Sequence, residues 1–81
     1  MVKVFFYGTA RVNFKDKMIE VEASKVSTLL KIIARKYNAK VKEIKQHLIF
    51  VNEVNIVNLK KFNTPLNDGD VIYLLSPASG G

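Results

Sequence analysis

The apolar positions of this chain follow a period of two, then a helical period, then two again. Residues 2–7 (Val-Lys-Val-Phe-Phe-Tyr) form a short apolar run broken by Lys3. With Lys3 in water, alternation sends Val4 and Phe6 to a core and leaves Phe5 and Tyr7 on the outer face beside Lys3. Residues 8–13 read as a connection. Residues 18–22 alternate, with Met18, Glu20 and Glu22 on one face and Ile19 and Val21 on the other. This predicts a half-buried second strand, antiparallel to the first through a loose hairpin. The period then lengthens. Val26, Leu29, Leu30, Ile33 and Tyr37 recur at helical spacing, with Lys25, Lys31, Arg35 and Lys36 on the other side. That spacing predicts a helix over residues 25–38, with Ser24 as its N-cap and a stop near Asn38.

Residues 41–46 add a short helical turn. Residues 48–51 (Leu-Ile-Phe-Val) read as a third strand, Asn52-Glu53 as a tight turn, and residues 54–57 as a short edge strand. Residues 58–63 are a lysine-bearing connection anchored by Phe62. Leu66 is an apolar anchor after Pro65, and Asn67-Asp68-Gly69 is turn chemistry. The continuous apolar run over residues 71–75 is the last strand, closed by Ser76-Pro77. A hairpin, a helix packed across it and further strands in the same sheet make an α+β chain of the β-grasp type, a mixed sheet with one main helix. One domain is expected over residues 1–76, followed by a flexible Gly-Gly tail over 77–81. Parallel pairing of the first and last strands would bring residue 7 and the tail to one edge of the molecule.

Composition narrows what such a domain does. Its 81 residues allow one domain, which buries roughly 60–65% of its unfolded surface and has little room for an internal cavity. An isolated enzyme with its own deep site is not expected; a module acting through its surface or its end is. A hydrophobic content of 48% excludes a disordered chain. No apolar run approaches the ~20 residues that span a bilayer, and the opening run is too short for a signal peptide. With no cysteine there is no disulfide framework, thiol nucleophile or thiolate metal site. The cytoplasm is the expected compartment.

Candidate chemistry within the body of the chain is sparse. His47 stands alone, without a second ligand type at useful spacing, so no metal is expected. Asp68 and Asp70 read as turn residues rather than a catalytic pair. There is no Ser/His/Asp arrangement and no phosphate-binding glycine loop. The net charge is +6, with Lys25, Lys31, Arg35, Lys36, Lys40, Lys42 and Lys45 set against Glu43 alone. A solvated helix face explains that cluster, and a phosphate-rich partner is the functional alternative. No aromatic interleaving of the kind that stacks bases accompanies it, so nucleic acid is not an expected partner.

Three pieces of the sequence carry a resemblance: Val51-Asn52 after the third strand, Pro65-Leu66 with Asp68-Gly69-Asp70 before the last, and the Pro77-Ala-Ser-Gly-Gly81 ending. In this order and length the chain resembles the ubiquitin-like sulfur carriers (MoaD/ThiS-like), and within them the small subunit of molybdopterin synthase. Such carriers typically show Val-Asn-Gly, Leu-x-Asp-Gly-Asp and Pro-Pro-x-x-Gly-Gly. Here Glu53 replaces the first glycine and Ser76 the first proline.

The resemblance implies that a ubiquitin-activating-like enzyme uses ATP and Mg²⁺ to adenylate the Gly81 carboxylate. A sulfur donor then converts it to a thiocarboxylate, and the large synthase subunit passes the sulfur to a pterin precursor. The carrier itself binds no cofactor. Gly80, Ser79 and Ala78 thread a narrow channel, since glycine leaves no side chain to clash. The resemblance also places Ile72 and Leu74 inside and Tyr73 and Leu75 outward. Phe5, Tyr7, Leu48, Phe50, Tyr73 and Leu75 then form an apolar partner surface, unless loops cover them or the strand phase is off by one. Alternatives are a thiamine-pathway carrier, a ubiquitin-like protein modifier and an RNA-binding regulatory β-grasp module. Taken alone, Gly80-Gly81 also fits a frayed end.

Overall fold

The first and last strands lie side by side at the centre of one mixed sheet. In the computed structural model, which describes residues 1–76, β1 (Val2–Tyr7) runs parallel to β5 (Val71–Leu75), from Lys3 opposite Val71 to Tyr7 opposite Leu75. β2 (Met18–Val21) pairs antiparallel with the free side of β1, and β3 (Leu48–Val51) antiparallel with β5. β4 (Val54–Asn55) closes the far edge, giving the order β2-β1-β5-β3-β4. This is the ubiquitin-like β-grasp. Lys3 sets the phase as its charge requires: Val2, Val4 and Phe6 are buried while Lys3 is exposed. Ile72 and Leu74 are fully buried, so the non-alternating run of β5 takes the same phase.

Residues 8–13 are not a plain connection. Helix α1 (Thr9–Phe14) fills them, burying Ala10 and Phe14 one turn apart. Phe14 packs at 5.1 Å from Phe6 and 4.9 Å from Tyr37, ring centre to ring centre. The i, i+4 pair supplies too short an apolar stripe to announce a helix, and burial against two aromatic rings stabilises what propensity does not.

Helix α2 (Val26–Tyr37) carries the long apolar stripe. Val26, Leu29, Leu30 and Ile33 are fully buried in the same cluster as the inward residues of the sheet. Burial of each such side chain stabilises the fold by about 1.5–3 kcal/mol. Asn38 ends the helix in the left-handed conformation, as its position predicts. Ser24 is not the N-cap. Lys25 holds that position without a side-chain bond. The Val26 N–H instead donates to the Thr64 carbonyl, and the Leu66 N–H to the Ser24 carbonyl.

α3 (Val41–Ile44) is the expected short turn. The expected edge strand over 54–57 stops after Asn55, whose side chain accepts from the Val57 N–H and starts a 3₁₀ turn over Ile56–Asn58. That turn rotates Ile56 into the core. Phe62, in a second 3₁₀ turn, packs half-buried against the core, and Leu66 is buried as an anchor.

Candidate docking face and tail root

The parallel pairing of β1 and β5 puts every second side chain of both strands on the face away from the helix. Tyr73 stands at the middle of that face, opposite Phe5 on one side and Phe50 on the other. Leu75 stands between Tyr7 and Leu48 in the next outward position. All six residues expected on a partner surface therefore share one face. Tyr7 and Leu48 are exposed, while Phe5, Phe50, Tyr73 and Leu75 are half-buried among one another. Tyr73 stacks on Phe5 with ring centres 5.8 Å apart and lies 5.7 Å from Tyr7. The alternative of covering loops is set aside by this exposure.

Two further residues belong to the face. Met18 pairs with Phe5 across β1 and β2 and is exposed. Its outward phase was readable in the alternation of residues 18–22. Glu53, with Tyr7, Phe50, Tyr73 and Leu75, lines a shallow hollow in the face. Nothing in the hydrophobic pattern marks a charged turn residue as part of an apolar hollow.

The motif pieces that looked separate in sequence are bonded together. The Asn52 side chain donates to an Asp70 carboxylate oxygen at 2.8 Å and accepts from the Val71 N–H at 3.0 Å. Asp70 also accepts from the Asn67 N–H at 2.7 Å, closing the turn whose Gly69 has φ +90°. The turn reading of Asp68-Gly69-Asp70 is correct. Its work is to start β5 in register with β3, and so to place Tyr73 and Leu75 outward.

Beyond Leu75 the chain leaves the sheet beside Tyr7. Ser76 turns its hydroxyl back to the start of α1, accepting from Thr9 Oγ1 at 2.6 Å and from the Ala10 N–H at 2.9 Å. The root of the tail thus adjoins the apolar face, as the parallel pairing predicts. Ala78, Ser79, Gly80 and Gly81 lie outside the described residues.

His47 sits with Nδ1 at 3.2 Å from the Glu43 carbonyl oxygen and its ring against Phe14. Among the described residues, no three His, Cys, Asp or Glu side chains converge in a way that could hold a metal ion. Nor is any helix there long and apolar enough to cross a membrane. The Tyr37 hydroxyl donates to Asp16 at 2.5 Å; burial first, then that bond and the Asp16 charge, push its phenol well above the ordinary range.

Comparison with known proteins is consistent with this geometry. Residues 4–81 match the ThiS family. Among solved structures, the chain is similar to the small archaeal modifier protein 1 of Methanosarcina acetivorans, at 27% identity and a TM-score of 0.86, over 99% of this chain and 95% of that one. It is similar at 32% identity and a TM-score of 0.71 to a chain of the Helicobacter pylori complex of subunits 1 and 2 of molybdopterin-converting factor, over 99% of this chain and 97% of that one. The Amycolatopsis orientalis BexX/CysO complex shares the fold at 18% identity and a TM-score of 0.82, with 100% of both chains covered. Among curated proteins, none matches the sequence.

Proposed function

Because this chain belongs to the ThiS family, we propose that it is a sulfur carrier of the cytoplasm and serves as the small subunit of a molybdopterin synthase. The observation that carries the reading is the aromatic face centred on Tyr73, which adjoins the root of the Gly-Gly tail at Leu75 and Ser76. A partner seated on that face has the tail beside it. The likeness to the Helicobacter pylori complex, at 32% identity, supports the molybdopterin branch of this reading.

In this reading the Gly81 carboxylate attacks the α-phosphorus of Mg²⁺-bound ATP in an activating enzyme and releases pyrophosphate. Adenylation is needed because a carboxylate has no adequate leaving group. A sulfur donor at the oxidation level of sulfide attacks the acyl carbon and expels AMP, leaving a thiocarboxylate. The large subunit then directs that sulfur to a pterin precursor. Water takes its place, and the Gly81 carboxylate is restored. This chain contributes the docking face and the acyl end, and the partner contributes the catalytic groups. Ordering the tail costs about 1–2 kcal/mol per residue, which contacts of the docking face offset.

Two variants test the two parts separately. Tyr73→Asp puts a charge at the centre of the face and is expected to weaken large-subunit binding by about 30-fold or more, the scale of an interface hot spot, while the chain stays folded. Deletion of Gly81 is expected to leave binding intact and abolish activation. Unchanged cofactor synthesis after Gly81 deletion would sink the proposal.

A further inference from the structure

The side chain of Ser76 has an arrangement that the core does not require. Leu74 is the last buried residue of β5, and Leu75 forms the last strand pairs, with Tyr7 and Leu48. The strand is therefore already fixed on both sides before residue 76 is reached. Yet the Ser76 hydroxyl closes on three positions of the β1–α1 corner. It accepts from Thr9 Oγ1 at 2.6 Å and from the Ala10 N–H at 2.9 Å, and lies 3.4 Å from the Tyr7 carbonyl oxygen. Gly8 makes the approach possible: a Cβ there would stand 2.9 Å from Ser76 Oγ, and its φ is +64°. Gly8 itself provides no side-chain cap for α1, so the hydroxyl that satisfies the Ala10 N–H comes from across the chain.

We propose that Ser76 is a positioning residue for adenylation of the terminal carboxylate, a clamp that fixes the root of residues 77–81 to the β1–α1 corner at the end of the docking face. The proposal rests on the carrier reading above. Five residues span at most about 17 Å when extended, so the position of their root decides what the terminal carboxyl reaches once the face is seated. A serine does this where an apolar residue cannot, since the corner offers an N–H and a hydroxyl as donors. Without the clamp, residue 76 is free before adenylation and must be ordered during it. Ordering one residue corresponds to about a 5- to 30-fold loss of rate. Docking depends on Tyr73 and its neighbours, so the loss falls on kcat and not on KM.

The test compares wild type with Ser76→Ala, Ser76→Thr and Thr9→Val. The backbone order parameter of the residue 76 amide is measured by ¹⁵N relaxation, and adenylation is followed with a ubiquitin-activating-like enzyme of the same organism and ATP–Mg²⁺. The wild-type amide is expected at about 0.85 and that of Ser76→Ala below about 0.6. The alanine variant is expected to lose kcat with KM unchanged, the threonine variant to recover it, and Thr9→Val to show part of the loss. An amide at residue 76 as rigid in Ser76→Ala as in wild type overturns the clamp, and so does an unchanged kcat. If wild type is not adenylated at all, the carrier reading fails instead, and the order parameter alone decides the clamp. A Ser76→Ala chain that does not fold would contradict the proposal only if Thr9→Val, once folded, also kept full rigidity and rate.

Discussion

Asn52 and Glu53 hold positive φ angles of 50° and 73°, the signature of a type I′ hairpin turn, which favours Asn-Gly. Glu53 therefore occupies a glycine position and stores backbone strain while it lines the apolar hollow. Glu53→Gly is expected to stabilise the chain by roughly 0.5–1 kcal/mol, measured as a higher urea midpoint with an unchanged slope. Tyr37 carries a second residue-scale consequence. Its phenol is raised above the ordinary 10.0 by burial and by Asp16, so the folded state favours the protonated form. The stability this contributes is fully present below pH about 10 and is lost as pH rises through and beyond it. Unfolding free energy is expected to fall more steeply above pH 10 in wild type than in Tyr37→Phe; parallel profiles would contradict the assignment. The sequence showed that Glu53 departs from the glycine pattern. It did not show that the turn keeps its type, because the strands on either side impose the geometry.

At the scale of elements, what was legible had an unambiguous period or a strong punctuation. Lys3 fixed the phase of β1, the stripe from Val26 to Ile33 fixed α2, and Asn38 fixed its end. What was missed depended on contacts from distant residues. α1 exists because Phe14 finds Phe6 and Tyr37. β4 is short because Asn55 caps a 3₁₀ turn. The start of α2 is the sharpest case, since Ser24 has the side chain of a cap but only its carbonyl is engaged, while Thr64 supplies the acceptor for the Val26 N–H. A local preference is overridden here by a tertiary bond. Ser24→Ala is accordingly expected to cost no more than a few tenths of a kcal/mol, well below the typical ~1 kcal/mol of a true N-cap. A loss of a full kcal/mol or more in chemical denaturation would restore Ser24 to the capping role.

At the scale of the whole molecule, the chain has two unlike sides. The sheet presents Tyr73 and its aromatic neighbours, and the helical side presents the exposed cations Lys31, Arg35, Lys36, Lys42 and Lys45. Two of those cations rest on aromatic rings, Lys36 over Tyr37 at 5.7 Å and Lys45 over Phe62 at 4.8 Å. Large exposed apolar side chains lie on neither α2 nor α3, and in the proposed function the partner is anchored by the aromatic residues of the sheet. The outer-face residues were legible because alternation in β1 and β3 was combined with the family's phase for β5. The link between that face and the tail root became concrete only when Tyr7 was seen paired with Leu75 and Ser76 bonded to Ala10. The measurement that bears most directly on the carrier function is an intact-mass spectrum after incubation with a ubiquitin-activating-like enzyme, ATP–Mg²⁺ and a sulfide donor, under conditions that activate a control carrier. A sulfur carrier gains one sulfur-for-oxygen exchange located on Gly81, and the Gly81 deletion gains none. An unchanged mass with no adenylate formed, or an exchange located anywhere else, would contradict the assignment.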